Sequence, residues 1–156
     1  MSHPIDDLEH GHEELGALLL ELRALHRRAI AGEIEVDEAV GELTLAADAL
    51  KDAMAIHFSR EGEALFPFVE ARVPSLVTRA ESLAREHDLL CTRAEEVSRT
   101  CAGAGRAGLE SAAPALERLE NLYAGHAASE RAFLGDLRAA LDDKGRDELR
   151  QLLLGL

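Results

Sequence analysis

Tryptophan is absent from the 156 residues, and there are only one tyrosine and four phenylalanines. β-branched residues are scarce too, so the chain lacks the material of strands and reads as all-α. No apolar run approaches the roughly 20 residues that a membrane-spanning helix needs. The start, Met1-Ser2-His3-Pro4-Ile5-Asp6-Asp7, has neither a basic segment nor an apolar stretch, so it does not read as a signal peptide. A basic surplus is missing as well. The formal net charge is −13, which argues against nucleic acid and against an anionic membrane surface, since both select for a basic patch. Cysteine is limited to Cys91 and Cys101, which fall about 15 Å apart on one expected helix, too far for a disulfide. These absences point to a cytoplasmic chain with no nucleic-acid and no membrane partner, and they specify no protein partner.

What is present is helical periodicity. The length suits one domain, residues 1–156, with one core. Ile5, Leu8, His12, Leu15, Leu19, Leu22 and His26 recur at helical spacing from Pro4, which suits a first turn, to Gly32. Asp37 is the expected cap of a second helix, whose stripe is Leu43, Leu50, Met54, His57, Glu61, Leu65 and Phe68, with a kink at Pro67. Ser75 is the expected cap of a third, carrying Leu76, Ala80, Leu83, His87, Leu90, Ala94 and Val97. Gly103 to Gly108 is a glycine-rich connector; no strand precedes it and its spacing is not that of a phosphate loop. A fourth helix is expected from Ser111, with Leu119, Leu122, His126, Glu130, Phe133, Leu137 and Leu141. A short fifth, Arg146 to Leu154, should cover one end. Short connections make neighbouring helices antiparallel, so the expected architecture is an up-down-up-down four-helix bundle with a short C-terminal fifth helix.

Each long stripe contains a histidine where an apolar residue belongs, and two contain a glutamate. A buried imidazole or carboxylate without a partner costs several kcal/mol. One such histidine is ordinarily a satisfied core residue, but four helices breaking the same rule call for a common cause. Their heights agree: His12 lies about 19 residues before its helix ends and His57 about 20 after its helix begins, which makes them level across an antiparallel turn. Glu61 pairs with His87, and His87 with His126, by the same count. His57–Glu61 and His126–Glu130 are each spaced one turn apart, so each pair points the same way. The second and fourth helices lie diagonally opposite, so the glutamates meet at the centre, where they repel unless cations lie between them. Four imidazoles and two carboxylates suit a pair of iron, manganese or zinc ions.

The order of these residues resembles the hemerythrin-like family, also called the HHE cation-binding domain. One His, then His-x-x-x-Glu, then one His, then His-x-x-x-Glu reads here as His12, His57-Phe58-Ser59-Arg60-Glu61, His87, and His126-Ala127-Ala128-Ser129-Glu130. The run from His57 to Pro67 is similar to the family's second-helix signature, and Glu86-His87-Asp88-Leu89-Leu90 to its third-helix one. The resemblance spans about Ile5 to Leu141. It implies a non-haem di-iron centre bridged by oxo or hydroxo, with zinc or manganese as substitutes, and a small diatomic ligand or peroxide as partner. Oxygen-carrying members have a second histidine one turn from the third-helix one; here those places hold Leu83 and Cys91. The four matched histidines resemble the branch linked to iron-centre repair, to nitric oxide or peroxide handling, and to iron sensing, rather than to reversible oxygen carriage.

The functions this implies are binding or sensing of O2 or another small oxidant, oxidoreduction of peroxide or nitric oxide, and iron storage or donation. A structural zinc or manganese site is the fourth reading, and open coordination positions argue against it. Of the remaining residues, His10 is expected exposed, His3 solvated at a fraying end, and His26 packed at the far end of the bundle. Cys91 is expected as a small core residue. Tyr123 is expected to hydrogen-bond, with a role at the metal as the sharper alternative.

Overall fold

A computed structural model describes residues 3–103 and 105–155. Met1, Ser2 and Ala104, which belong to the readings of the N-terminus and of the glycine-rich connector, lie outside it. The described residues form no strand. The elements are α1 (Pro4–Ile30), α2 (Val36–Arg60), a π-helical turn (Glu61–Leu65), α3 (Phe66–Arg72), a 3-10 turn (Pro74–Leu76), α4 (Val77–Cys101), α5 (Gly105–Ala140) and α6 (Asp143–Leu154). α2, the π turn and α3 together make the expected second helix. α1 packs on α2 and α5, and α4 packs on α2 and α5, so the four long rods form a ring in sequence order. α6 lies against α1 and the π turn and buries Leu149 and Leu153 at that end of the bundle. No helix among the described residues is long and apolar enough to cross a membrane.

Several boundaries differ from the sequence reading, each for a local reason. Asp37 does not cap α2: the cap position is Glu35, without a side-chain bond, and Asp37 sits in the first turn, where it complements the helix dipole. Ser75 does not cap α4, because Pro74–Leu76 turns as a 3-10 segment and Leu76 takes the cap position. α5 begins at Gly105, well before Ser111, so most of the glycine-rich segment is helix. A Cβ on Gly108 would come within 2.9 Å of the Gly103 carbonyl, so this tight α4–α5 turn needs glycine. His3 is not a solvated fray. Its Nδ1 accepts the Ile5 N–H at 3.2 Å and its own N–H donates to Asp6 at 2.8 Å, closing a capping box on α1.

Where a kink at Pro67 is expected, the helix widens into a π turn one turn earlier. The Phe66 N–H bonds to the Glu61 carbonyl, five residues back. The wider turn gives room to the Pro67 ring, which would otherwise meet a carbonyl of the preceding turn. It also resets the helical phase. Phe58 and Phe66 would sit about 80° apart around a plain α-helix, and the extra residue of the π turn returns them nearly to one line.

The apolar core is in two parts. One cluster contains Leu15, Leu50, Met54, Leu90, Leu116 and Leu119. The other contains Ile5, Leu8, Leu65, Leu83, Phe133 and Leu137. All four helices pass from one cluster to the other at the same level, and that level is where the buried histidines and glutamates lie.

Candidate metal centre

α1 brings in His12; α2 brings His57; the π turn brings Glu61; α4 brings His87; α5 brings His126 and Glu130. Both glutamates are fully buried, and His57, His87 and His126 are buried. Their donor atoms fall into three groups: His12, His57 and Glu61; His12, His126 and Glu130; Glu61, His87 and Glu130. Within each group the atoms lie within 4.8 Å of one another. His12 and the two glutamates each serve two groups. All six residues expected from the sequence are therefore brought together, and each of their metal-facing atoms can be assigned.

Those atoms are short of partners. His57 Nε2 is 2.8 Å and His12 Nε2 3.4 Å from Glu61 Oε1, while His87 Nε2 is 3.1 Å from Glu61 Oε2. His126 Nε2 is 2.8 Å and His12 Nε2 2.9 Å from Glu130 Oε2. None of these contacts has the direction of a hydrogen bond. The Nε2 of all four histidines and all four carboxylate oxygens are buried with no hydrogen-bond partner. Buried polar atoms are satisfied as a rule, and eight orphans facing one small space fit cations that would accept all eight lone pairs. Neutral imidazole and carboxylate are the donors that iron, manganese and zinc take.

Electrostatics agree. Burial pulls His12 down, but the Glu130 and Glu61 carboxylates outweigh it and hold the imidazole at about 10. His126 is raised in the same way, by Glu130 and Glu86 against its own burial. Burial alone would raise Glu61, yet His12, His57 and His87 around it keep it well below the usual carboxylate range. The two buried carboxylates thus call for positive charge within the layer, which imidazolium or a metal cation can supply.

Four supporting residues were not evident from the sequence as parts of the site. Glu86 Oε2 lies 2.8 Å from His126 Nδ1. A carboxylate there accepts the hydrogen bond from Nδ1–H, which keeps the proton on Nδ1 and leaves the Nε2 lone pair facing the centre. Phe58 stacks on His87 at 4.0 Å with the rings 9° apart, and Phe66 covers the same imidazole at 5.4 Å. The phase reset by the π turn is what puts both phenylalanines on His87. Gly11 faces the His57 ring: a Cβ there would be 2.5 Å from Nδ1 and 2.7 Å from Cε1. Glu86 and the phenylalanines do stand inside the second- and third-helix motifs. Gly11 carries no signal beyond its place beside His12.

The other candidates stay outside. His10 is exposed beside Glu13 and Glu14. His26 is buried and its Nε2 donates to the Leu109 carbonyl at 2.7 Å, a packing role far from the centre. Cys91 joins none of the three donor groups; it packs at the edge of a core cluster, where burial raises its thiol pKa. The Tyr123 hydroxyl donates to the His12 carbonyl at 2.7 Å. Burial and the two glutamate charges push that phenol up to about 12.

The family model of the hemerythrin HHE cation binding domain matches residues 3–134. No curated protein and no solved structure matches the chain.

Proposed function

The chain belongs to the hemerythrin HHE cation-binding domain family, and on that premise we propose that it is a non-haem di-iron protein that binds or senses O2 or another small oxidant, nitric oxide or peroxide, in the bundle core. The observation that carries this reading is the set of eight buried donor atoms without hydrogen-bond partners, in one layer across four helices. Their number exceeds what one ion takes from protein, and two carboxylates with both oxygens free suit two ions side by side, each imidazole nitrogen having one lone pair for one of them.

When bound, the iron pair supplies redox exchange and coordination positions that the six side chains do not fill. The chain supplies the rest. Glu61 and Glu130 hold the two ions close and offset their charge. Glu86 keeps the proton of His126 on Nδ1. Phe58 and Phe66 fix the plane of His87. Leu15, Met54, Leu90 and Phe133, all buried, exclude water and so raise the strength of every charge interaction within the layer.

The test is metal analysis with near-ultraviolet absorption of protein purified in air. About two irons per chain with charge-transfer absorption are expected, by the ligand count above. Zinc alone, or no metal after anaerobic loading with ferrous iron, would overturn the reading. Gas evolution on adding peroxide would move the assignment from binding to catalysis.

A further inference from the structure

The centre is not equally closed on all sides. Glu61, Glu130 and the His126 side chain are 0% exposed, His87 and His57 are 7% and 8% exposed, and His12 is 11% exposed. α1, which carries His12, has a groove along each flank. The one towards α2 ends at His57, and there Gly11 already lies against the imidazole, leaving no gap. The one towards α5 is an open cleft of about 830 Å³ that runs past His12, from Glu9 and Arg131 to Leu20 and Glu120. The His12 ring lines it while Nε2 behind the ring is buried, so the cleft reaches the centre's outer wall.

Three features of that cleft stand out. First, Gly16 sits inside α1, where glycine costs about 1 kcal/mol against alanine. A Cβ there would meet the Tyr123 ring at an ordinary 3.8 Å, so packing does not demand glycine; its effect is to leave room beside Tyr123. Second, the charges along the walls are paired off. Glu9 binds Arg138 and Glu120 binds Arg23, and the remaining Glu13 and Arg131 are opposite in sign. The rest of the lining is apolar or small: Gly16, Ala17, Leu19, Leu20, Ala124 and Ala127. Third, the Tyr123 hydroxyl crosses from α5 to the carbonyl of His12 itself, tying the two walls together at that point.

We propose that the cleft between α1 and α5 is the passage by which a small uncharged molecule reaches the centre, and that the Tyr123–His12 hydrogen bond is its latch. Opening the latch lets the α1 and α5 walls part beside His12 while its ring stays on the centre. The small residues keep the way clear, and the neutralised walls neither attract nor trap ions. Tyr123 acts through His12 and touches no reacting atom; it is a positioning residue.

The inference rests on the di-iron reading, so iron content and absorption are measured first on every variant. Nitric oxide binding to the anaerobic diferrous protein is then followed by stopped flow. Tyr123→Phe is expected to bind about fivefold faster, the population change for one net hydrogen bond lost. Gly16→Leu is expected to bind about tenfold slower, since a packed side chain must then move. Ala53→Leu, which fills the opposite groove, should leave the rate unchanged. Equal rates for Tyr123→Phe, Gly16→Leu and the parent at full iron loading would overturn the passage, as would slowing by Ala53→Leu alone. The latch has a readout that needs no metal. Amide exchange along α1 beside His12 should rise about fivefold in Tyr123→Phe, and unchanged exchange refutes it. A parent chain that takes up no iron sinks the functional proposal and the passage together, and leaves the latch to be decided by exchange.

Discussion

Gly11→Ala adds one methyl group to α1 and places it on the His57 ring. The new carbon would stand 2.5 Å from Nδ1 and 2.7 Å from Cε1, where contacts between such atoms are ordinarily about 3.5 Å. Relief requires a movement of about 1 Å, either of the imidazole or of α1. Metal–ligand distances tolerate only about 0.2 Å, so His57 should cease to be a ligand. Two opposed effects decide stability. Alanine gains about 1 kcal/mol over glycine within a helix, and forced overpacking costs about 1–3 kcal/mol. The ion-free variant should therefore stay folded, with its urea midpoint close to the parent's. Metal affinity should change far more, because losing or misplacing a donor costs at least the 10–100-fold seen for supporting contacts. The assay is competitive iron binding against a chelator, with the urea melt of the ion-free chain alongside. An iron dissociation constant within about twofold of the parent's would refute the argument: either the ring can yield freely or His57 is not a ligand.

Other expectations follow from the same geometry. Glu86→Ala should weaken iron binding about 10–100-fold without altering the fold, by freeing the tautomer of His126; chelator competition checks it. His26→Ala should do the reverse. It removes the buried hydrogen bond to the Leu109 carbonyl, costs about 1–3 kcal/mol in urea unfolding, and keeps the iron content. Cys91→Ser should leave both iron content and the visible spectrum as they are. The ion-free chain should also depend on pH at both ends. His12 has a folded pKa raised to about 10, so its contribution is complete below about 6.5, the unfolded value, and is lost as pH rises towards 10. Glu61 is held low, so its contribution is present above the ordinary carboxylate pKa and is lost on acidification. Urea midpoints of chelator-treated protein should therefore fall between pH 7 and 10, and a flat profile over that range would contradict the charge pattern of the centre.

The sequence made the ring of helices and the six polar residues legible for one reason: each breaks an apolar stripe at a height that can be counted. His12 and His57 could be levelled by counting alone. What escaped the count was whatever depends on local phase or on the absence of an atom. The π turn at Glu61–Leu65 alters helical phase within a segment whose composition is ordinary. Phe58 and Phe66 are out of line by spacing and in line only after that turn. Glu86 stands on a partly exposed flank and reads as a solvated charge until His126, from another helix, is placed beside it. Gly11 matters through the methyl it lacks, which no pattern of hydrophobicity records. The start of α5 was misplaced because glycines read as breakers, whereas Gly103 and Gly108 serve a close approach between helices.

The division of the core into two apolar clusters has a consequence for how long the protein lasts. The plane between them holds buried carboxylates whose charge an ion bound there would offset. Ions filling it act as rivets joining two halves, and binding to the folded chain alone raises stability with the logarithm of free ion concentration. On the di-iron reading, a chain without ions would keep two half-cores facing each other across buried carboxylates and imidazoles, and should be the less stable form. On the same reading, abundance would be tied to ion supply: when iron is scarce, the empty chains would be the ones exposed to proteases, and the surviving population would be the loaded one.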